Sequence, residues 1–187
     1  MSVSLDLERQ SASSTLPSYF RKGTKSSLPT VRPQPLASCH FEEMAAWDLF
    51  FAQAAPLMQQ HYEELSLEDR LIWEPDHELY RTLGAAGRLQ IVVARDGLAL
   101  VGYHIFLLHR HPHYRLVSAH EDTVYLHPGF RRGWTGYKLI RSSITRLKLR
   151  GVQRVVMHEK THNPLHRLYL RLGADCTDHV WTLKLGV

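Results

Sequence analysis

The sequence predicts a mixed α/β domain: a mostly antiparallel sheet with helices on its faces. Three observations predict it. Residues 89–126 read as three successive strands, two of them joined by Asp96-Gly97, a two-residue hairpin signal. "YKLIRSSITRLKLRG" and "HNPLHRLYLRLG" each carry apolar residues at helical spacing and close on a glycine. Between them "RVVMH", 154–158, reads as a short buried strand. Antiparallel strands followed by helix, strand and helix make a sheet that needs cover on both faces.

The elements follow in order. Residues 1–36 are rich in Ser, Pro, Arg and Lys. Such a segment buries too little apolar surface to offset its ordering entropy. It reads as a flexible N-terminal extension, either passive or a docking arm for a protein partner. It has no continuous apolar core, so it is not read as a secretory signal. Residues 37–187 are then the folded domain. "FEEMAAWDLFFAQAAPLMQQHYEEL" is helical in composition from Phe41, with Pro56 a kink or the first residue of a second helix. "PDHELYRTLGAAG" is a short helix closed by Gly84 or Gly87. The first strand is Leu89–Ala94 and the second Leu98–Leu108. After the loop "RHPHYRL" comes a third, "VSAHEDTVYL", 117–126. In the next helix Ile140, Ile144 and Leu147 share a face and Gly151 caps the end. In the last, Asn163 is the N-cap, Pro164 the first helical residue and Gly173 lies past the end. "ADCTDHVWTLKL" reads as one or two closing strands.

Composition narrows the function. Of 187 residues, 44% are hydrophobic and 22% charged, which is enough for a packed core. The net charge of +5 favours anionic partners such as phosphorylated cofactors. Basic residues Lys138, Arg141, Lys148 and Arg150 lack the aromatic interleaving of a nucleic-acid surface, so nucleic acid is disfavoured. Cys39 and Cys176 form no pair motif or metal spacing, which points to a reducing, cytoplasmic setting. No apolar run is long enough to cross a membrane.

The chemistry gathers around "LHPGFRRGWTG", 126–136. A helix N-terminus presents free N–H groups and the positive end of the helix dipole, so it receives phosphates. Gly133 and Gly136 let the backbone come close, and Arg131 and Arg132 add charge. With "NPLHRLYLRLGA" one strand later, residues 40–187 resemble the GNAT superfamily of acetyl-CoA-dependent N-acetyltransferases. That family's turn reads Arg/Gln-x-x-Gly-x-Gly/Ala; the match runs through His127, Pro128, Arg131 and Gly136. Trp134 stands where the first glycine belongs, with Gly133 one residue earlier to relieve the turn. The overall texture is similar to divergent GNAT proteins of bacteriophages. That likeness would place the chain in a host cytoplasm or with a virion.

The resemblance implies direct attack of an amine on acetyl-CoA, bound by the turn Arg131, Arg132, Gly133, Trp134, Thr135 and Gly136. It implies main-chain contacts from Val124 and Leu126 to the pantetheine arm, and a further contact from Asn163. Its base falls at His120 or Asp122. By strict alternation His120, Asp122, Val124 and Leu126 share one strand face, and Glu121, Thr123 and Tyr125 the other; a bulge would exchange them. Leu165, Leu168, Tyr169 and Leu172 share one helix face. Tyr169 occupies the place of the family's thiolate-protonating tyrosine. The acceptor would be a primary amine of a small molecule or protein. Glu63 and Glu64 could receive its charge, and His111 and His113 lie in a loop expected beside it. His109, His111 and His113 alternate, but Pro112 breaks the strand and no carboxylate or Cys completes a set, so no metal is expected. The competing expectation is an inactive binding or assembly protein that docks through its tail.

Overall fold

The computed structural model describes residues 39–65, 73–183 and 185. The expected extension, 1–36, lies outside the described residues. Five strands form one sheet in the order β1-β2-β3-β4-β5: His40–Glu43, Leu89–Asp96, Ala99–Arg110, Val117–Leu126 and Arg154–Val156. All neighbours are antiparallel except β4 and β5. The helices are α1 (Trp47–Leu65), α2 (His77–Ala85), α3 (Thr135–Leu149) and α4 (His166–Arg171).

Strand alternation decides which residues each face buries. Ile91, Val93, Tyr103, Ile105 and Tyr125 pack with Trp47, Phe50, Ala54, Leu57 and Met58 of α1. On the opposite face Val92, Ala94, Val101 and Leu126 pack with Leu139 of α3, and Phe106, Leu108 and Ala119 with Leu147. Covered on both sides, β2 is buried without interruption from Leu89 to Ala94. Its polar Gln90 is accommodated because Nε2 donates to the Ser143 carbonyl of α3 at 3.1 Å. Gly97 takes a φ of 59°, as the predicted hairpin turn requires.

Three expectations are corrected. Phe41 does not open a helix. Residues 40–43 pair with Arg95–Val92 of β2, and α1 begins only at Trp47. The helix then runs through Pro56, its buried stripe from Trp47 to His61 holding it against the sheet despite the missing N–H. Asn163 does not cap α4. The N–H groups of Leu165 and His166 go to the Glu159 carboxylate, and helix starts at His166. Finally, no strand forms among the described residues of 174–185; the segment meets the β5 edge through an ion pair, Asp178 to Arg154 at 3.8 Å, rather than a backbone ladder, and Val180, Trp181, Leu183 and Leu185 are exposed.

Two features make the packing testable. A Cβ at Gly102 would lie 2.7 Å from Leu126 Cδ1 and 2.9 Å from the Tyr125 carbonyl. Gly102→Ala should therefore push β3 from β4 and cost about 1–3 kcal/mol, read as a lower thermal midpoint. His61 is buried on α1, its Nδ1 2.7 Å from the Tyr103 hydroxyl. Burial pushes its pKa from the ordinary 6.5 down to about 4. The unfolded chain thus binds this proton first as pH falls. Stability from this source is level above pH 6.5 and declines through the window from 6.5 to 4. Urea unfolding at pH 7 and pH 5 should show a loss on the order of 1–2 kcal/mol that His61→Gln removes. Equal pH slopes in the two proteins would exclude His61 as the origin.

Candidate functional site

The sheet parts along β4. β5 pairs with it only over Ser118–His120. Beyond that point the N–H of His158 turns to Glu121 Oε2 at 3.2 Å, so the chain after β5 is held by a side chain and leaves the β4 backbone uncovered. On its other edge, β4 stays paired to β3 as far as Leu126, and the N–H of His127 donates to the Val101 carbonyl at 2.8 Å. Successive N–H groups of a strand point to opposite edges, so those of Leu126 and Val124 point into the gap. The Leu126 carbonyl points there too, and Arg131 Nε donates to it at 2.7 Å.

A bulge sets which side chains face the gap. Ile105 pairs with Thr123 and Phe106 with Glu121, so Asp122 is the extra residue. Alternation slips by one there. Asp122 accepts from the Tyr80 hydroxyl of α2 at 2.8 Å, and Thr123 Oγ1 lies 3.5 Å from His61 of α1. Glu121 instead meets His104 on the α3 face. The face shared by His120, Asp122, Val124 and Leu126 under strict alternation is thus corrected: Glu121 joins Val124 and Leu126, while His120 and Asp122 face the α1 and α2 side with Thr123 and Tyr125.

A cavity of about 210 Å³ fills the gap. Its wall brings together Val124, Leu126, Arg131, Gly136 and Asn163, with Leu139, Leu165 and Leu168 supplying apolar surface and His61 one end. A Cβ on Gly136 would make ordinary contact, at 3.9 Å, with both Leu126 and Leu168, which are wall residues. Gly133 adopts a φ of 77°, which suits glycine, and it supplies the reversal that the turn needs. Trp134 takes the N-cap position with no side-chain capping bond, and Thr135 is the first residue of α3. The Trp134 indole is 57% exposed and stands outside the cavity wall. Arg132 is exposed beside it.

Arg131 is already engaged. Its terminal nitrogens clasp both oxygens of Glu64 at 2.7 and 2.6 Å, and its guanidinium lies 5.2 Å from the Tyr125 ring centroid. Hydrogen bonding from Arg131 holds the Glu64 carboxyl below its ordinary pKa. Glu64 therefore ties the end of α1 to the turn, while Glu63 is exposed and accepts from Gln59. His111 and His113 are not brought to the site. They sit in the loop between β3 and β4, at the other end of a strand, about 20 Å from Val124. Among the described residues no group of three His, Cys, Asp or Glu is placed to hold a metal.

The titratable groups around the gap are held in distinct states. Burial raises the Asp122 pKa against the opposing bond from Tyr80. His120 is exposed, its ring 4.4 Å from His109, and partial burial followed by the neighbouring His109 lowers its pKa. Tyr169 Oη lies 3.0 Å from Glu121 Oε2 and 3.1 Å from the His158 carbonyl; burial, then the Glu121 charge, pushes its pKa up. Glu121 Oε1 lies 2.8 Å from His104 Nε2. A carboxylate needs a donor there, so Nε2 carries a proton. His61, His104, Tyr80 and Glu159 were not singled out from sequence. Their roles arise from contacts 42, 17, 42 and 6 residues distant along the chain, which local pattern does not encode.

Comparison with known proteins identifies the arrangement. Residues 51–174 match the Acetyltransferase (GNAT) family. No curated protein sequence matches the chain. Among solved structures, an aminoglycoside acetyltransferase from an uncultured soil metagenomic sample superposes with TM-score 0.63 at 14% identity, covering 79% of this chain and 97% of that one. A ribosomal-protein-alanine N-acetyltransferase from Brucella melitensis gives 0.60 at 18% identity, covering 80% and 100%. Glucosamine-6-phosphate N-acetyltransferase from Arabidopsis thaliana gives 0.60 at 12%, covering 79% and 99%. At these identities the structures speak for the fold. With a family match over most of the folded region, the parted β4 edge and the glycine turn opening α3, the chain belongs to the GNAT acetyltransferase family.

Proposed function

We propose that the protein is an N-acetyltransferase that passes the acetyl group of acetyl-CoA to a primary amine by direct attack. The observation that carries this reading is the cavity between β4, α3 and α4, whose wall unites Val124, Leu126, Arg131, Gly136 and Asn163. Its residues fit an acyl-pantetheine arm. The wall is mostly apolar, a Cβ at position 136 would reach toward Leu126 and Leu168 across it, and uncovered strand N–H groups line one edge. Acetyl-CoA, when bound, supplies an acetyl thioester. The N–H groups of Val124 and Leu126 would hold the arm and polarise the thioester carbonyl. The free N–H groups of Gly133 to Gly136 at the start of α3 would receive phosphate.

Asp122 is the base of choice in this reading. It stands where β4 bulges, on the side away from α3, and the Tyr80 hydroxyl fixes its carboxylate. Burial moves its pKa upward, toward that of a useful base, and it would take a proton from the ammonium directly or through water. His120, two residues earlier on the same side, is the second candidate. Tyr169 keeps its proton at neutral pH and would give it to the departing thiolate after its O–H turns from Glu121. Amine acceptors are consistent with the reactions named for structural relatives, which include aminoglycoside and glucosamine-6-phosphate acetylation. The competing reading, an inactive assembly protein, would have Trp134 close the turn; the indole lies outside the cavity wall, which favours an open site.

Calorimetric titration with acetyl-CoA should give micromolar binding, and failure at millimolar cofactor would turn the choice to the assembly protein. Once an acceptor is found, Tyr169→Phe and Asp122→Asn should each lower kcat about 100-fold or more with little change in acetyl-CoA affinity. Turnover equal to the unmodified enzyme in either variant would remove that residue from the mechanism.

A further inference from the structure

Trp134 is the residue by which this chain departs from its family's turn, and its side chain has a defined place. The guanidinium of Arg171, the last residue of α4, lies 5.3 Å from the Trp134 ring centroid. The Tyr137 ring meets the indole edge to face, at 5.4 Å and 81°. These two contacts hold the indole yet leave it 57% exposed, an unusual exposure for a large aromatic with only a packing role. Arg171 also shares a helix face with Leu168, three residues earlier, and Leu168 lines the cavity. Gly136, two residues beyond Trp134, lines it from the other side. The indole and guanidinium therefore stand together just outside the cavity, where the turn opens α3.

We propose that Trp134 and Arg171 form a subsite for a purine bearing a phosphomonoester, the 3′-phosphoadenosine end of coenzyme A. The proposal rests on the use of acetyl-CoA proposed above. An aromatic base stacks on an exposed indole, and the contact is strong because both faces are large and polarisable. A guanidinium 5.3 Å from the indole centroid carries a planar fork of N–H groups, two of which a phosphate can accept. Among the described residues Arg171 forms no ion pair with a carboxylate. The arm enters the cavity, the turn receives the pyrophosphate, and the nucleotide end emerges on the side where these two residues wait. Trp134 then replaces a glycine's freedom with a stacking surface, and Gly133 supplies the positive φ that the turn still needs.

The test compares binding of three probes by calorimetry: coenzyme A, 3′-dephospho-coenzyme A and 4′-phosphopantetheine. Trp134→Ala should weaken coenzyme A about 5- to 100-fold and leave phosphopantetheine within twofold. Trp134→Phe, which retains an aromatic face, should recover most of the loss. Arg171→Ala should weaken coenzyme A while leaving its 3′-dephospho form nearly unchanged. Indole fluorescence gives a second readout: quenching by coenzyme A should be smaller in Trp134→Phe than in the unmodified protein. Coenzyme A binding equal in Trp134→Ala and the unmodified protein would overturn the subsite alone. So would equal losses for coenzyme A and phosphopantetheine, which would place the effect in the turn's backbone. If the unmodified protein binds none of the three, the subsite and the acetyl-CoA reading fall together.

Discussion

The Glu121 carboxylate is the contact on which the site depends. It sits in a buried position and collects Tyr169 Oη, the N–H of His158 and His104 Nε2. Taking the His158 N–H diverts the chain from β4 just after β5 ends at Val156. That hydrogen bond lies where the two parallel strands, paired for three residues, separate. A gap between strands would ordinarily expose unpaired backbone groups, which is costly in a core. Here the gap opens into a cavity, so those groups can meet a ligand.

A carboxylate so deep in the sheet is stable only because every side of it is answered. Its burial alone would cost several kcal/mol. The three donors come from three elements, β3, the segment after β5, and α4, so satisfying this group requires all three to be in place. The bulge at Asp122 is part of the same arrangement. By inserting one residue, it lets β4 present Glu121 to α3 and α4 while Asp122, beside it in sequence, reaches Tyr80 on α2. Adjacent carboxylates thereby occupy separate environments on opposite faces of one sheet, and burial raises the pKa of Asp122.

What sequence revealed depended on whether the determinant was local. Asp96-Gly97, the strand Val117–Leu126 and the glycine after α3 are local signals, and the structure has each of them in place. The turn before α3 was legible for the same reason. The bulge was not, because alternation has no local marker for an inserted residue; only the partner strand shows that Ile105 and Phe106 skip Asp122. Strand β1 was hidden by its composition, which suits a helix until β2 offers it an edge. The cap of α4 was misplaced because Glu159 reaches forward from the preceding loop to do what Asn163, nearer in sequence, was expected to do. In "DHVWTLKL" the pattern is strand-like, but pairing depends on a backbone ladder to a distant strand, and Asp178 meets β5 through the Arg154 side chain.

The clasp between Arg131 and Glu64 changes the electrostatic character of the turn before α3. An arginine preceding a glycine turn looks like a full positive charge aimed at phosphate. Here that charge is matched by a carboxylate at the end of α1, and its third nitrogen is fixed on a carbonyl of β4. What remains at the mouth of α3 is the dipole field of peptide groups together with the charge of exposed Arg132. The dipolar part of that field declines more steeply with distance than the field of a lone ion. Arg131 accordingly acts as a rivet joining the first helix to the strand edge beside the cavity.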